Sequence, residues 1–494
     1  MTSQILQKAR RYEEIGEQKI PGDARPVFHL CARTGWMNDP NGFSFYRGKY
    51  HLFYQYHPYD SHWGPMHWGH GVSRDLIHWE YLPAALAPDT ACDRDGCFSG
   101  SALELDDGRQ LLMYTGVVKE LQPDGVVREV QTQCMAAGDG LDYDKYPENP
   151  VLTGSDLPEG GSPFDFRDPK MWRESDGTFH CVAGNCTDGK DGRILEYISR
   201  DGIHWSFERI LAENHGRFGT MWECPDFFTL DGKQVLLISP QDMLPEGLEY
   251  DNGNGTVCLI GHRDPETGRL VEESNQAVDY GIDFYAPQTV LAPDGRRILV
   301  GWMQNWDTSK VRSREYLWYG QMTLPRELSV KNGRLYQQPV RELETLRREK
   351  TGYSRVTVEG EISLEGISGR LLDMELTVAP AHEGENYHRF AVRFAQDQQF
   401  YTEVSFRPRE SAVKIDRKYS GSPLAILHQR RCRVSSRNGE LKLRIILDRF
   451  SAEVFINDGE QVMTMTMETD LAAEGISFAA DGAALIDVVK YRLG

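Results

Sequence analysis

The sequence predicts an all-β protein, a five-bladed β-propeller followed by a C-terminal β-sandwich. Three observations carry that reading. A strand-turn-strand unit recurs five times in the first two-thirds of the chain, and a second mark repeats at about the same interval. Beyond residue 337 the pattern changes to alternating strands that lack the repeat. Repeats of this length belong to units that bury their faces against one another.

The elements follow in order. Residues 1–28 open with "MTSQILQKARRYEEIGEQKI", charged throughout and without the apolar stretch of a secretory signal; this reads as a short amphipathic helix. The propeller spans 29–336. The second strand of each unit begins "GKYHLFYQ" at Gly48, "GRQLLMYT" at Gly108, "GTFHCVAG" at Gly177, "GKQVLLIS" at Gly232 and "GRRILVGW" at Gly295. Each is a glycine, one or two polar residues and an apolar run of strand length, preceded by an Arg-Gly or Asp-Gly turn signal. Successive glycines are 60, 69, 55 and 63 residues apart, room for four strands per unit, as in a propeller blade. The second mark is an aspartate: Asp75, Asp139, Asp201 and Asp264, at steps of 64, 62 and 63 residues.

Residues 337–350 read as a charged helical linker anchored by Leu343 and Leu346. Residues 351–494 hold alternating segments such as "LLDMELTVAP", "HRFAVRFAQD" and "LKLRIILDRFSAEVFINDG". Two packed sheets account for them.

Composition narrows the function classes. Fifty-five Lys and Arg face 74 Asp and Glu, a net charge of −19. Nucleic acid and anionic membrane both require a cationic footprint, so neither is an expected partner. No run approaches the length of a membrane span. The nine cysteines are odd in number and scattered, which fits reduced thiols in a cytoplasm.

Nine residues before each hairpin glycine stand Asp39, Ser99, Asp168, Glu223 and Ala286. The first strand of each blade lines the central channel, so three carboxylates converge on one opening. Asp39 in "NDPNG" and Asp168 in "FRDPK" precede proline, where an Asp can simply cap a turn. Three together repel, and such clusters mark functional sites.

The residues around them favour sugar chemistry over a metal. No EF-hand-like loop is present, and the six histidines between His51 and His78 form no zinc pattern. They read as polar members of an aromatic shell, and neither a metal nor any other cofactor is expected. Glycoside cleavage needs one ionised carboxyl and one kept protonated by burial and by its neighbours' charge. Trp36, Phe53, Tyr54, Trp63, Trp68, Trp222 and Trp302 offer flat faces, and Asn38, Gln55 and Arg167 offer hydrogen bonds.

"WMNDPNG", "FRDPK" and "WECPD", in this order, resemble the three signatures of glycoside hydrolase family 32. "FYQYHP", "HWGHGVSRDLIHW", "FSGSA", "DFYAPQT" and "GWM" extend the likeness from about His29 to Pro339, and "DRFSAEVFINDG" resembles part of the family's C-terminal module. The resemblance implies that Asp39 is the nucleophile, Glu223 the acid/base and Asp168, with Arg167 beside it, the transition-state stabiliser. It assigns Asn38, Gln55, Trp63, Phe98 and Ser99 to a fructose subsite, adds Tyr285 and Trp302, and excludes Asp226 as the acid. The implied reaction is retaining hydrolysis of terminal β-D-fructosyl groups of sucrose or short oligosaccharides such as kestose, through a fructosyl-enzyme. A sucrose-6-phosphate hydrolase, a fructosyltransferase and a non-catalytic fructan-binding propeller are the alternatives. The sandwich is expected to buttress the propeller and to pair subunits in a homodimer.

Overall fold

The computed structural model describes residues 2–309, 316–382, 385–421 and 427–494. The N-terminal helix runs Gln4–Glu17, with the Ser3 hydroxyl accepting from the Leu6 amide. Its buried Glu13 accepts from the Ala84 amide at 2.9 Å, which fixes the helix to the outer strand of the first blade. Arg33, six residues ahead of Asp39, is held by Glu13 and Glu17 on this side of the blade. No helix among the described residues is long and apolar enough to cross a membrane.

Five antiparallel sheets form the blades, with innermost strands Gly35–Tyr46, Gly96–Glu104, Gly161–Arg173, Trp222–Leu230 and Tyr285–Leu291. Among the described residues, blades II to V have four strands each. Blade I gains a fifth, because Trp318–Tyr319, reached from blade V, pairs in parallel with Gly35 and Trp36 and closes the ring. Asp75 and Asp201 do the same work in blades I and III: each accepts two backbone amides of the tight turn ahead of the outer strand. Local turn chemistry is therefore the origin of that repeat.

The last blade ends later than the sequence suggests. Its outer strand continues to Pro339, and the expected linker helix is one short 3-10 segment, Arg341–Leu346, with Leu343 and Leu346 buried as its anchors. Arg347–Ile362 is then already a strand. Its charged residues belong to an edge strand with many exposed side chains, which is why the segment reads as helical linker.

The C-terminal region is a sandwich made from one folded sheet. Gly475–Leu493 is long and bent: its first part pairs with Arg389–Gln396 and its second with Leu372–Pro380, so one strand serves both layers. Phe390, Val392, Phe394 and Phe406 from one layer pack with Met374, Leu376, Ile445 and Val454 from the other in a shared core. Buried charge ties the sandwich to the propeller. Arg326 of blade V pairs with Glu453 of the sandwich and with Asp279, and His29 bridges Asp448 and Glu453.

Candidate active site

Each innermost strand carries a bulge at the same height, two residues facing one on the neighbouring strand. The pairs are Asn38–Asp39, Phe98–Ser99, Asp168–Pro169, Cys224–Pro225 and Ala286–Pro287. In blades III, IV and V the second bulge residue is proline, which has no amide to lose from the ladder. The first is left-handed in those blades, with φ of 63° at Asp168, 47° at Cys224 and 50° at Ala286. A left-handed non-glycine residue costs on the order of 1 kcal/mol, and three of them ring the opening.

The nine-residue count is therefore good only to one residue. Asp39 and Ser99 are second in their bulges, Asp168 and Ala286 first, and Glu223 stands just before its own. Turn and strand lengths are the reason: the turns after the innermost strands hold two residues in blades I and IV and five in the others, blade I has a second bulge between Asn41 and Ser44, and the strand beyond the bulge holds five residues in blade II against four in blades III and V. Cys224, not Glu223, is the register partner of Asp168. The convergence of the three carboxylates survives the correction.

They meet at a cavity of about 490 Å³ lined by Asn38, Asp39, Gln55, Trp63, Phe98, Ser99, Arg167, Asp168 and Glu223. Asp39 Oδ2 accepts from the Ser99 hydroxyl at 3.0 Å and lies 3.5 Å from the Cys224 sulfur. Its Oδ1 has no hydrogen-bond partner among the described residues, which leaves one oxygen uncommitted. Asp168 Oδ2 accepts from the Cys224 amide at 2.9 Å and touches the same sulfur at 3.5 Å. The Asp168 amide donates to Thr115, fixing the bulge from blade II. Glu223 accepts from Arg167 Nε at 3.1 Å and from the Tyr285 hydroxyl at 2.7 Å.

Burial, and then the charges of Glu223 and Asp168, push the Asp39 carboxyl up to about 7. Burial and Glu223 push Asp168 up to about 6, against Arg167 and the bonds from Cys224. Among the described residues, one guanidinium, Arg167, thus faces three acids in a low-dielectric ring. Such a cluster retains a proton near neutral pH, as an acid/base site requires.

Of the residues expected at a fructose subsite, Asn38, Gln55, Trp63, Phe98 and Ser99 line the cavity. Trp36 donates to Asn38 at 2.7 Å, and Gln55 donates to the Cys97 carbonyl. Trp63 stands at the mouth, 44% exposed, edge-on to Phe98. Two differ from expectation. Tyr285 and Trp302 are fully buried and do not line the cavity: Tyr285 lies behind Glu223, and Trp302 packs edge-on against Trp36 and Trp306. Asp226 pairs with Lys170 and accepts from the Thr289 amide inside the ring. His51 and His70 bond each other, and His70 stacks on Phe53 at 4.1 Å, within the aromatic shell.

Sequence reasoning missed part of the wall: Trp306, Gln131, Asp242 and Asn254 line the cavity from segments without a motif. Gln131 could have been found only through its bond from Arg167. A larger cavity of about 680 Å³ lies at the seam with the sandwich, by Trp318 and Phe450, and includes none of the three carboxylates.

Comparison with known proteins agrees along the whole chain. Residues 29–339 match the glycosyl hydrolases family 32 N-terminal domain, and residues 342–492 the family 32 C-terminal domain. A sucrose-6-phosphate hydrolase of Escherichia coli is 40% identical over 473 residues, covering 93% of each chain, and a raffinose invertase of Escherichia coli is 39% identical with the same coverage. The solved GH32 beta-fructofuranosidase of Bombyx mori superimposes with a TM-score of 0.82 at 34% identity, over 99% of this chain and 97% of that one. The chain belongs to glycoside hydrolase family 32.

Proposed function

We propose that the protein is a retaining β-fructofuranosidase that hydrolyses terminal β-D-fructosyl groups of sucrose and short fructo-oligosaccharides. The observation that carries this reading is the sharing of the Cys224 sulfur by Asp39 and Asp168, with Glu223 one residue away on the same strand. Asp39 attacks the anomeric carbon with its uncommitted oxygen while Glu223 protonates the leaving oxygen. Glu223 then takes a proton from water, which releases fructose from Asp39. Asp168 and Arg167 hold fructose hydroxyls through charge-assisted bonds that strengthen as positive charge develops on the ring.

A sucrose-6-phosphate hydrolase is the second reading, supported by the E. coli relative of that name. Local charge favours the neutral sugar. Among the described residues lining the cavity, Arg167 is the one cation, and it is committed to Glu223 and Asp165. Glu129, Asp165 and Asp242 add carboxylates around the mouth, which repel a phosphate. The nine free thiols favour a reducing compartment and hence small imported substrates. We assign the sandwich to buttressing, on the strength of its buried charge pairs with the propeller; a homodimer through it is checked by light scattering.

The test is fructose release from sucrose, 1-kestose and sucrose 6-phosphate, compared by kcat/KM. Preference for the unphosphorylated sugars is expected. Preference for sucrose 6-phosphate would select the second reading, and no fructose from any of them would overturn both.

A further inference from the structure

Blade II holds a pair of cysteines outside the active site. Cys134 lies on the blade's third strand, Val127–Gly138, and is fully buried. Cys92 lies in the irregular segment ahead of the innermost strand and is half-buried. The two sulfurs are 3.4 Å apart, with the Cys134 thiol donating to Cys92. Gly116 makes this approach possible: a Cβ there would meet the Cys92 carbonyl at 2.5 Å and the Cys134 sulfur at 2.8 Å. Cys92 opens on a cavity of about 560 Å³ lined also by Thr90, Thr132, Lys145 and Tyr146. A small oxidant can therefore reach one sulfur of the pair while the other stays covered.

We propose that Cys92 and Cys134 are a peroxide-reactive pair that closes to a reversible disulfide, with Cys92 attacking and Cys134 resolving. In the first step the Cys92 thiolate attacks one oxygen of hydrogen peroxide and the O–O bond breaks. The departing hydroxide takes up a proton and leaves as water, and Cys92 becomes a sulfenic acid. In the second step the Cys134 sulfur attacks the Cys92 sulfur and loses its proton. The S–O bond breaks, a second water leaves and the S–S bond forms. Two thiols have been oxidised and one peroxide reduced.

The surroundings suit these unequal roles. The bond from Cys134 draws the Cys92 thiol down to about 7 against the effects of burial and of the Asp93 charge, with help from Thr90 and the Lys145 ammonium. Its thiolate is thus available at neutral pH. Cys134 is held well above the ordinary range by the same bond and by burial, and so keeps its proton until it resolves. Burial also pushes Cys97, Cys181, Cys258 and Cys432 up, which leaves them poor competitors for the oxidant. Closure needs the sulfurs to approach to about 2.05 Å. Cys92 lies outside the sheet ladder, in the turn ahead of the innermost strand.

The experiment treats the full chain with stoichiometric hydrogen peroxide at about pH 7.5, alkylates the remaining thiols and digests with trypsin without reductant. Cys92 falls in peptide 75–94 and Cys134 in peptide 129–145, each the single cysteine of its peptide. The expected product is these two peptides joined, about 2 Da below their summed mass, and separated again by dithiothreitol. In Cys134→Ser the Cys92 sulfenic acid should persist long enough to be trapped by dimedone; in Cys92→Ser no joined peptide should form. Recovery of both wild-type peptides as alkylated thiols would overturn the proposal. So would Cys92 recovered as sulfinic acid beside an alkylated Cys134.

Discussion

The Tyr285 hydroxyl lies 2.7 Å from Glu223 Oε2 and 2.9 Å from the carbonyl oxygen of Ser239. A phenol has one proton to donate, and here it goes to Glu223. The Ser239 carbonyl beside it, on the neighbouring strand of blade IV, fixes the hydroxyl's position, so Tyr285 orients the Glu223 carboxyl. Burial first, and then the charge of Glu223, hold the phenol of Tyr285 well above its ordinary range, so it stays a donor to Glu223. Tyr285→Phe is expected to lower kcat on sucrose about 10-fold or more, with a smaller loss on an aryl β-fructofuranoside whose leaving group needs less acid. Equal losses on the two substrates would reduce Tyr285 to a packing residue.

Removing the acid itself should exaggerate the same contrast. Glu223→Ala is expected to lose about 1,000-fold or more in kcat on sucrose and clearly less on the aryl fructoside, with the fold intact by circular dichroism. Near-normal turnover of sucrose in this variant would end the assignment.

Asp39→Asn should divide activity from stability. Turnover is expected to fall by several orders of magnitude, since an amide cannot form the glycosyl ester. Stability should move the other way. The carboxyl lies at about 7 in the fold, raised by burial, Glu223 and Asp168, against about 4 in an unfolded chain. The folded state therefore binds this proton more tightly, and the Asp39 contribution to stability is lost as pH rises from 4 through 7. The amide has no charge to bury. Its melting temperature should exceed that of the wild type by about 3 °C or more at pH 8 and match it near pH 4. A lower melting temperature at pH 8 would mean that the Ser99 bond outweighs the desolvation.

Asp168 raises Asp39 through its charge, after burial and Glu223. With Asp168→Asn that contribution disappears, so the acidic limb of kcat/KM should move to lower pH, by about half a unit or more. A limb that stays in place while kcat falls would leave Asp168 the role of binding fructose hydroxyls alone.

Much of this arrangement is legible in the chain, and the missing parts share a cause. The blades could be found because each hairpin needs a glycine and the recurring aspartates close tight turns, both local requirements that repeat. Asp39, Asp168 and Glu223 could be gathered because they sit at nearly the same height on innermost strands. Their one-residue stagger was hidden, since it depends on bulges and on turns of two or five residues. Tyr285 and Trp302 were expected at the subsite from the family resemblance alone, and a matching motif does not say whether an aromatic ring faces the cavity or stands behind its wall. Trp306 and Asn254 reach the cavity from irregular segments, and no spacing announces that. The strand Arg347–Ile362 was masked by its charge, because an edge strand can leave Glu and Arg in water.

The join between propeller and sandwich should carry its own pH dependence. His29 is completely buried, with Nδ1 2.8 Å from Asp448 and Nε2 2.9 Å from Glu453. Burial alone would lower its pKa; the two carboxylate bonds outweigh it and raise the imidazole to about 9. A raised histidine stabilises the fold fully below its unfolded value of about 6.5, and that contribution is lost as pH climbs through 9. The predicted window of loss is therefore pH 6.5 to 9, worth about 3 kcal/mol at most. His29→Gln keeps hydrogen bonding but cannot carry the charge, and should flatten the melting temperature across this window while lowering it at pH 6. Arg326→Met, which strips Glu453 and Asp279 of their shared buried cation, should destabilise by about 3–5 kcal/mol at neutral pH. If His29→Gln melts with the wild-type pH profile, the imidazole is neutral in the fold and Arg326 alone supplies the positive charge at this seam.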